Sequence, residues 1–118
     1  MQRVKAFSMA NQLYEFTLKV ARGEGCDLAQ PLTGAYVPAY SAAPDYQTAI
    51  RKAVTAIADM HYIFEDIEGA AREIPIGTWQ RYVHAVWPDF ASRLPSEEEL
   101  PSLVERGAVF FGPFAGYS

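Results

Sequence analysis

A chain of 118 residues is long enough to bury one hydrophobic core and too short for two, so a single domain over 1–118 is expected. Half of the residues are apolar, a fifth are charged and 14% are aromatic, a composition that excludes general disorder. The formal net charge of -4 offers no basic field for phosphates, which excludes direct nucleic-acid binding from the expectation, and no run approaches the roughly 20 apolar residues that cross a bilayer.

The first element expected in chain order is a helix. Lys5, Ser8, Gln12, Glu15, Lys19 and Arg22 recur at three- and four-residue steps, while Met9, Ala10, Leu13, Phe16 and Val20 line another face. Phe7, Tyr14 and Leu18 widen the apolar side, and Gly23 and Gly25 stop the helix. The polar residues also interrupt any signal-peptide core, so a cytoplasmic location is expected. Cys26 is alone and cannot close an internal disulfide, in keeping with a reducing compartment.

Pro31, Gly34, Pro38 and Pro44 punctuate the next stretch, which has no sustained helical period and reads as a long aromatic and proline-rich loop over about 24–44. A short extended piece fits around Leu32 to Val37. Tyr36 and Tyr40 either pin this loop to the helices or present rings to a partner.

Asp45 is an N-cap for a second helix whose buried stripe runs through Tyr46, Ile50, Ala53, Val54, Ile57, Met60, Phe64 and Ile67. The same spacing carries it past Gly69 to Pro75, with a bend at the glycine. Thr78 opens a third helix bearing Trp79, Tyr82, Val83, Val86 and Trp87, and Pro88 opens a short one after it. Ser96 and Glu99 have the spacing of a capping box, and a last helix from Pro101 to Arg106 ends at Gly107. The final apolar segment, Val109 to Tyr117, is too broken for a helix. It is expected as an extended arm packed across the helices or as an exposed peptide. The elements together predict an all-α fold, a compact bundle of three to four helices closed by the loop and by the aromatic C-terminal segment.

The chemistry-bearing residues are sparse. On a helix, His61 and Glu65 would stand four apart beside Asp59, Asp66 and Glu68, but a metal needs three or four ligands, so a solvated face is expected and neither metal nor cofactor is assigned. No nucleophile elbow, Walker loop or dinucleotide fingerprint occurs, and no catalytic residue is assigned. The aromatic surplus is the departure from an ordinary domain. It points to a small acidic non-enzymatic domain that docks on a protein partner, in the manner of an inhibitor, an immunity protein or a phage-encoded antagonist. The contact residues would be Tyr36, Tyr40, Asp59, Glu65, Asp66, Phe111, Phe114 and Tyr117, the carboxylates steering a basic surface onto the domain. A rival reading places a small molecule or substrate between helices, against His61, Tyr62, Trp79 and Tyr82. A third makes the chain a homo-oligomer in which the tail of one copy packs on the next.

Overall fold

The structure is a computed structural model that describes residues 10–118. In chain order it contains β1 (Gln12–Arg22), β2 (Gly34–Ala43), α1 (Tyr46–Asp59), β3 (Tyr62–Glu73), α2 (Trp79–Val86), α3 (Leu100–Glu105), β4 (Val109–Phe111) and β5 (Ala115–Tyr117). Two 3₁₀ segments, Ile76–Thr78 and Pro88–Arg93, flank α2. The five strands form one antiparallel sheet in the order β3-β1-β2, with β4 and β5 following each other along the free side of β2.

The architecture is therefore mixed α/β, and the expected all-α bundle is wrong. Residues 12–22 are a strand and Ala10 precedes it in irregular chain, while Lys5, Phe7, Ser8 and Met9 lie outside the described residues. Phe16, Leu18 and Val20 alternate with Thr17, Lys19 and Ala21, and that period of two fits the segment as well as a period near four does. The β-prone residues Tyr14, Phe16, Thr17 and Val20 take the strand because β2 and β3 pair with them from both sides.

Most of the expected loop is β2, a central strand. Pro38 sits in the middle of it, where proline normally forfeits a ladder bond. Its carbonyl accepts from Gly112 N at 2.8 Å, so its nitrogen faces the same side, at the break between β4 and β5. No bond to β1 is lost there. Asp45 caps α1 through its Oδ1, which accepts from Thr48 N at 2.8 Å, but the helix ends at Asp59 instead of running on to Arg72. His61 takes φ 71, in the left-handed region, and turns the chain into β3.

The sheet has a core on each face. On one, Ala49, Ala53 and Ile57 of α1 cover Phe16, Leu18, Val20, Val37 and Ala39. On the other, Trp79 and Val83 of α2 with Leu94, Leu100 and Val104 cover Leu13, Tyr40 and Ala42. The second layer covers one end of its face only. Asn11 Nδ2 ties it there by donating to Val104 O at 3.0 Å and Glu105 O at 3.2 Å, while a capping box orders its turn, with Glu99 N donating to Ser96 Oγ at 3.1 Å and Ser96 N to Glu99 Oε1 at 2.9 Å. Lys52 Nζ of α1 donates to Ala42 O and Gly107 O, at 2.6 and 2.7 Å, and joins the two layers.

Candidate functional site

Along β1 the residues Glu15, Thr17 and Lys19 point to the face that α2 and α3 occupy, beyond the end that those helices cover. Their neighbours across the ladders are Tyr36 and Pro38 of β2 and Asp66, Glu68 and Arg72 of β3. The uncovered half-face is thus a mixed surface of charge and ring. Tyr36 is 37% exposed on it, and its ring lies 5.2 Å from that of Tyr117.

Gly34 makes room for that pair. A Cβ there would meet Tyr117 Cζ and Oη at 2.4 Å and Val20 O at 2.5 Å, so the Tyr117 ring lies directly over the backbone of β2. The hydroxyl donates to Val20 O at 3.2 Å, Lys19 Nζ stands 5.8 Å from the ring centroid, and Glu65 Oε1 lies 3.5 Å from the hydroxyl. Burial, with Glu65 adding to it, raises the Tyr117 pKa. The expected contact residues Tyr36, Tyr117, Glu65 and Asp66 are therefore neighbours.

The other expected contact residues are not assembled with them, except that Phe114 lines the same cleft as Tyr36. Tyr40 is fully buried under α2, and Phe111 and Phe114 pack against the α1-side core, with Phe114 5.4 Å from the Tyr62 ring. Asp59 ends α1 on the opposite layer. The acidic run Glu65, Asp66 and Glu68 lies on an edge strand with register shifts, not on a helix face, so His61 and Glu65 share no helical side. Among the described residues no three His, Cys, Asp or Glu side chains group as metal ligands.

Where the half-face meets α2 it forms a cleft of about 340 Å³. Thr17, Tyr36 and Pro38 line the sheet side, Tyr82, Val86 and Trp87 the helix side, and Pro113 to Ala115 the far wall. Val86 is 42% exposed at its rim. The volume falls in the range of small-ligand sites, and the lining is mainly apolar.

Two polar features enter this cleft. Arg72 Nε donates to Glu15 Oε1 at 2.7 Å, and the guanidinium lies 6.0 Å from the Tyr82 ring. That bond engages Nε, and a weaker contact with the Tyr82 hydroxyl adds to it, which leaves the terminal nitrogens with donor capacity to spare. The second feature is a relay. Trp87 Nε1 donates to Tyr40 Oη at 2.6 Å, and Tyr40 and Tyr82 hydroxyls lie 2.6 Å apart. Tyr40 is fully buried, so its proton must go to Tyr82, the acceptor within reach, and the Tyr82 proton is then left to point outward. Burial, then the bond to Tyr82, pushes the Tyr40 pKa far up; burial also raises that of Tyr82, against the bond from Tyr40.

Of the expected pocket residues, Tyr82 lines the cleft, and Trp79 is fully buried with its ring stacked 5.6 Å from that of Tyr82. Tyr62 begins β3 opposite Arg22, seven β1 residues from Glu15 and hence roughly 23 Å away along the strand, with His61 in the turn just before it. Glu15, Thr17, Pro38, Arg72 and Val86 do not stand out in the sequence, although the alternation of Glu15, Thr17 and Lys19 with apolar residues marks one polar strand face. A larger hollow, about 650 Å³, lies between α2 and Pro95 to Glu98. Two of its polar groups are spent internally, Trp79 Nε1 on Pro95 O and Glu97 Oε1 on Gln80 N, and its lining is more polar than that of the smaller cleft, which is the better candidate. The chain matches no family model, no curated protein and no solved structure.

Proposed function

We propose that this chain is a non-enzymatic binding protein that docks on a protein partner through the uncovered half of its sheet. The observation that carries the reading is the Tyr36–Tyr117 pair, two large rings set on a sheet face that no helix among the described residues covers. Such rings combine an apolar body with a polar tip and suit a surface that is wet when free and buried when bound. Four carboxylates, Glu15, Glu65, Asp66 and Glu68, stand on or beside this face against two cations, Lys19 and Arg72. That excess favours a basic partner and speeds its approach. A module of this kind suits an inhibitor or immunity protein acting in the cytoplasm.

The test uses a partner captured from the native host. Tyr36→Ala and Asp66→Lys are expected to weaken binding at least about tenfold, the loss typical of a central aromatic contact or of a reversed charge facing a basic surface. Tyr46→Ala, on the exposed side of α1, is the control and should bind as the parent does. Equal losses from all three variants, or none from the first two, would place the interface elsewhere.

A further inference from the structure

We propose that the cleft between β1, β2 and α2 is a ligand site for a ring-bearing molecule with one carboxylate or carbonyl oxygen, which accepts from the Tyr82 hydroxyl and the Arg72 guanidinium. The site shares Glu15, Tyr36 and Arg72 with the face proposed to dock a protein, but it does not depend on that docking.

The apolar part of the ligand is set by the walls. Pro38, Val86, Trp87 and Pro113 surround a space with room for one ring and a short chain. The polar part is set by the donors. The relay from Trp87 through Tyr40 leaves the Tyr82 proton without an internal acceptor, and each bond in the chain polarises the next. Arg72 stands over the Tyr82 ring, so its terminal nitrogens and the hydroxyl serve the same region.

Glu15 sharpens the choice. It holds Arg72 through Nε, which leaves the terminal nitrogens for a ligand, and it cancels the guanidinium charge. The cleft therefore has two donors and no net charge. That arrangement suits a carbonyl or a single carboxylate and disfavours both a phosphate dianion and an amine. One chemistry of this kind has two sources. It is a free aryl-alkyl acid, or it is a ring side chain with its own backbone carbonyl on a docking segment.

The test is an amide NMR titration of the full chain, read together with tryptophan fluorescence. The probes are 3-phenylpropanoate, 3-phenylpropanamide, N-acetylphenylalanine methylamide and 2-phenylethylamine. Saturable shifts confined to the cleft, around Thr17, Val86 and Ala115, are expected with the first three and none with the amine. Val86→Trp, at an exposed rim position, should fill the space and abolish binding. Arg72→Gln and Tyr82→Phe should each weaken the carboxylate about fivefold or more, with circular dichroism confirming that each variant is folded.

The tightest binding by the methylamide would identify a protein segment as the source, and the tightest by phenylpropanoate a free acid. Both support the site. No saturable shift with any acceptor, shifts mapping elsewhere, equal binding of the amine, or unchanged affinity in both donor variants would overturn it. Asp66→Lys lies outside the cleft and should leave these titrations as they are, so failure of protein docking and failure of this site are separately visible.

Discussion

Replacing Tyr40 by Phe removes one oxygen from the centre of the α2 layer and interrupts the whole relay. Trp87 Nε1 loses its acceptor and Tyr82 loses its donor, both bonds being 2.6 Å in the parent. The indole N–H is part-buried, so leaving it unpaired costs about 1–3 kcal/mol. For a chain of this size that corresponds to roughly 3–6 °C of melting temperature per kcal/mol, a fall of about 3–18 °C. Tyr82→Phe takes the acceptor from the fully buried Tyr40 hydroxyl and should cost a similar amount, about 1–3 kcal/mol.

The two changes share one bond, and the double variant should be less destabilised than the two losses added. Circular dichroism melts of the four proteins make the measurement. Alkaline pH supplies a second reading. The folded pKa of Tyr40 lies above the unfolded value of about 10, so its stabilising effect is complete below pH 10 and is lost as pH rises above it. The loss runs at about 1.4 kcal/mol per pH unit for one phenol, and Tyr40→Phe should flatten the decline accordingly. A Tyr40→Phe protein melting within a degree or two of the parent, with the same alkaline slope, would show that the relay is not formed.

Further outcomes follow from other sites in the fold. Ser41 is fully buried with no partner for its hydroxyl among the described residues, so Ser41→Ala should leave the urea midpoint unchanged or raise it by the equivalent of about 1 kcal/mol. Gly34→Ala puts a methyl into the Tyr117 ring and should displace β5, lowering the melting temperature and shifting the Tyr36 and Tyr117 ring resonances. Lys52→Met strips the donor from Ala42 O and Gly107 O, and the loss of about 1–3 kcal/mol is checked by urea unfolding.

Local signals in the sequence carried through where the chain itself satisfies them. The Asp45 cap, the helix opened at Trp79, the proline-led segment after Trp87 and the Ser96–Glu99 box are all formed by residues within four positions of each other. What the sequence does not display is pairing between distant segments. The stretch 12–22 satisfies both periods, and the strand is decided by Ala35 to Ala43 and Tyr62 to Glu73, which no local rule brings beside it. The end of α1 is hidden for another reason. Histidine takes a left-handed φ more often than most non-glycine residues but still only in a minority of cases, so His61 is a weak sign that the apolar spacing from Ile57 to Ile67 crosses from helix to strand.

The candidate site was hidden by the same error. With 12–22 taken as a helix, Glu15 and Lys19 fall on a solvated side. With it as a strand, they join Thr17, Tyr36 and Arg72 in one row across three strands. The aromatic surplus was the visible part, and the structure divides it: Tyr40 and Trp79 are buried, whereas Tyr36 remains at the surface beside Tyr117.

The central claim, that recognition occurs on the uncovered half of the sheet, is tested most directly by site-specific photo-crosslinking. A photoreactive residue at position 36 is expected to form one discrete adduct with the protein partner, and that adduct should disappear in an Asp66→Lys background. The same residue at position 46, exposed on the α1 layer, should form none. Adducts from position 46 with none from position 36 would contradict the account.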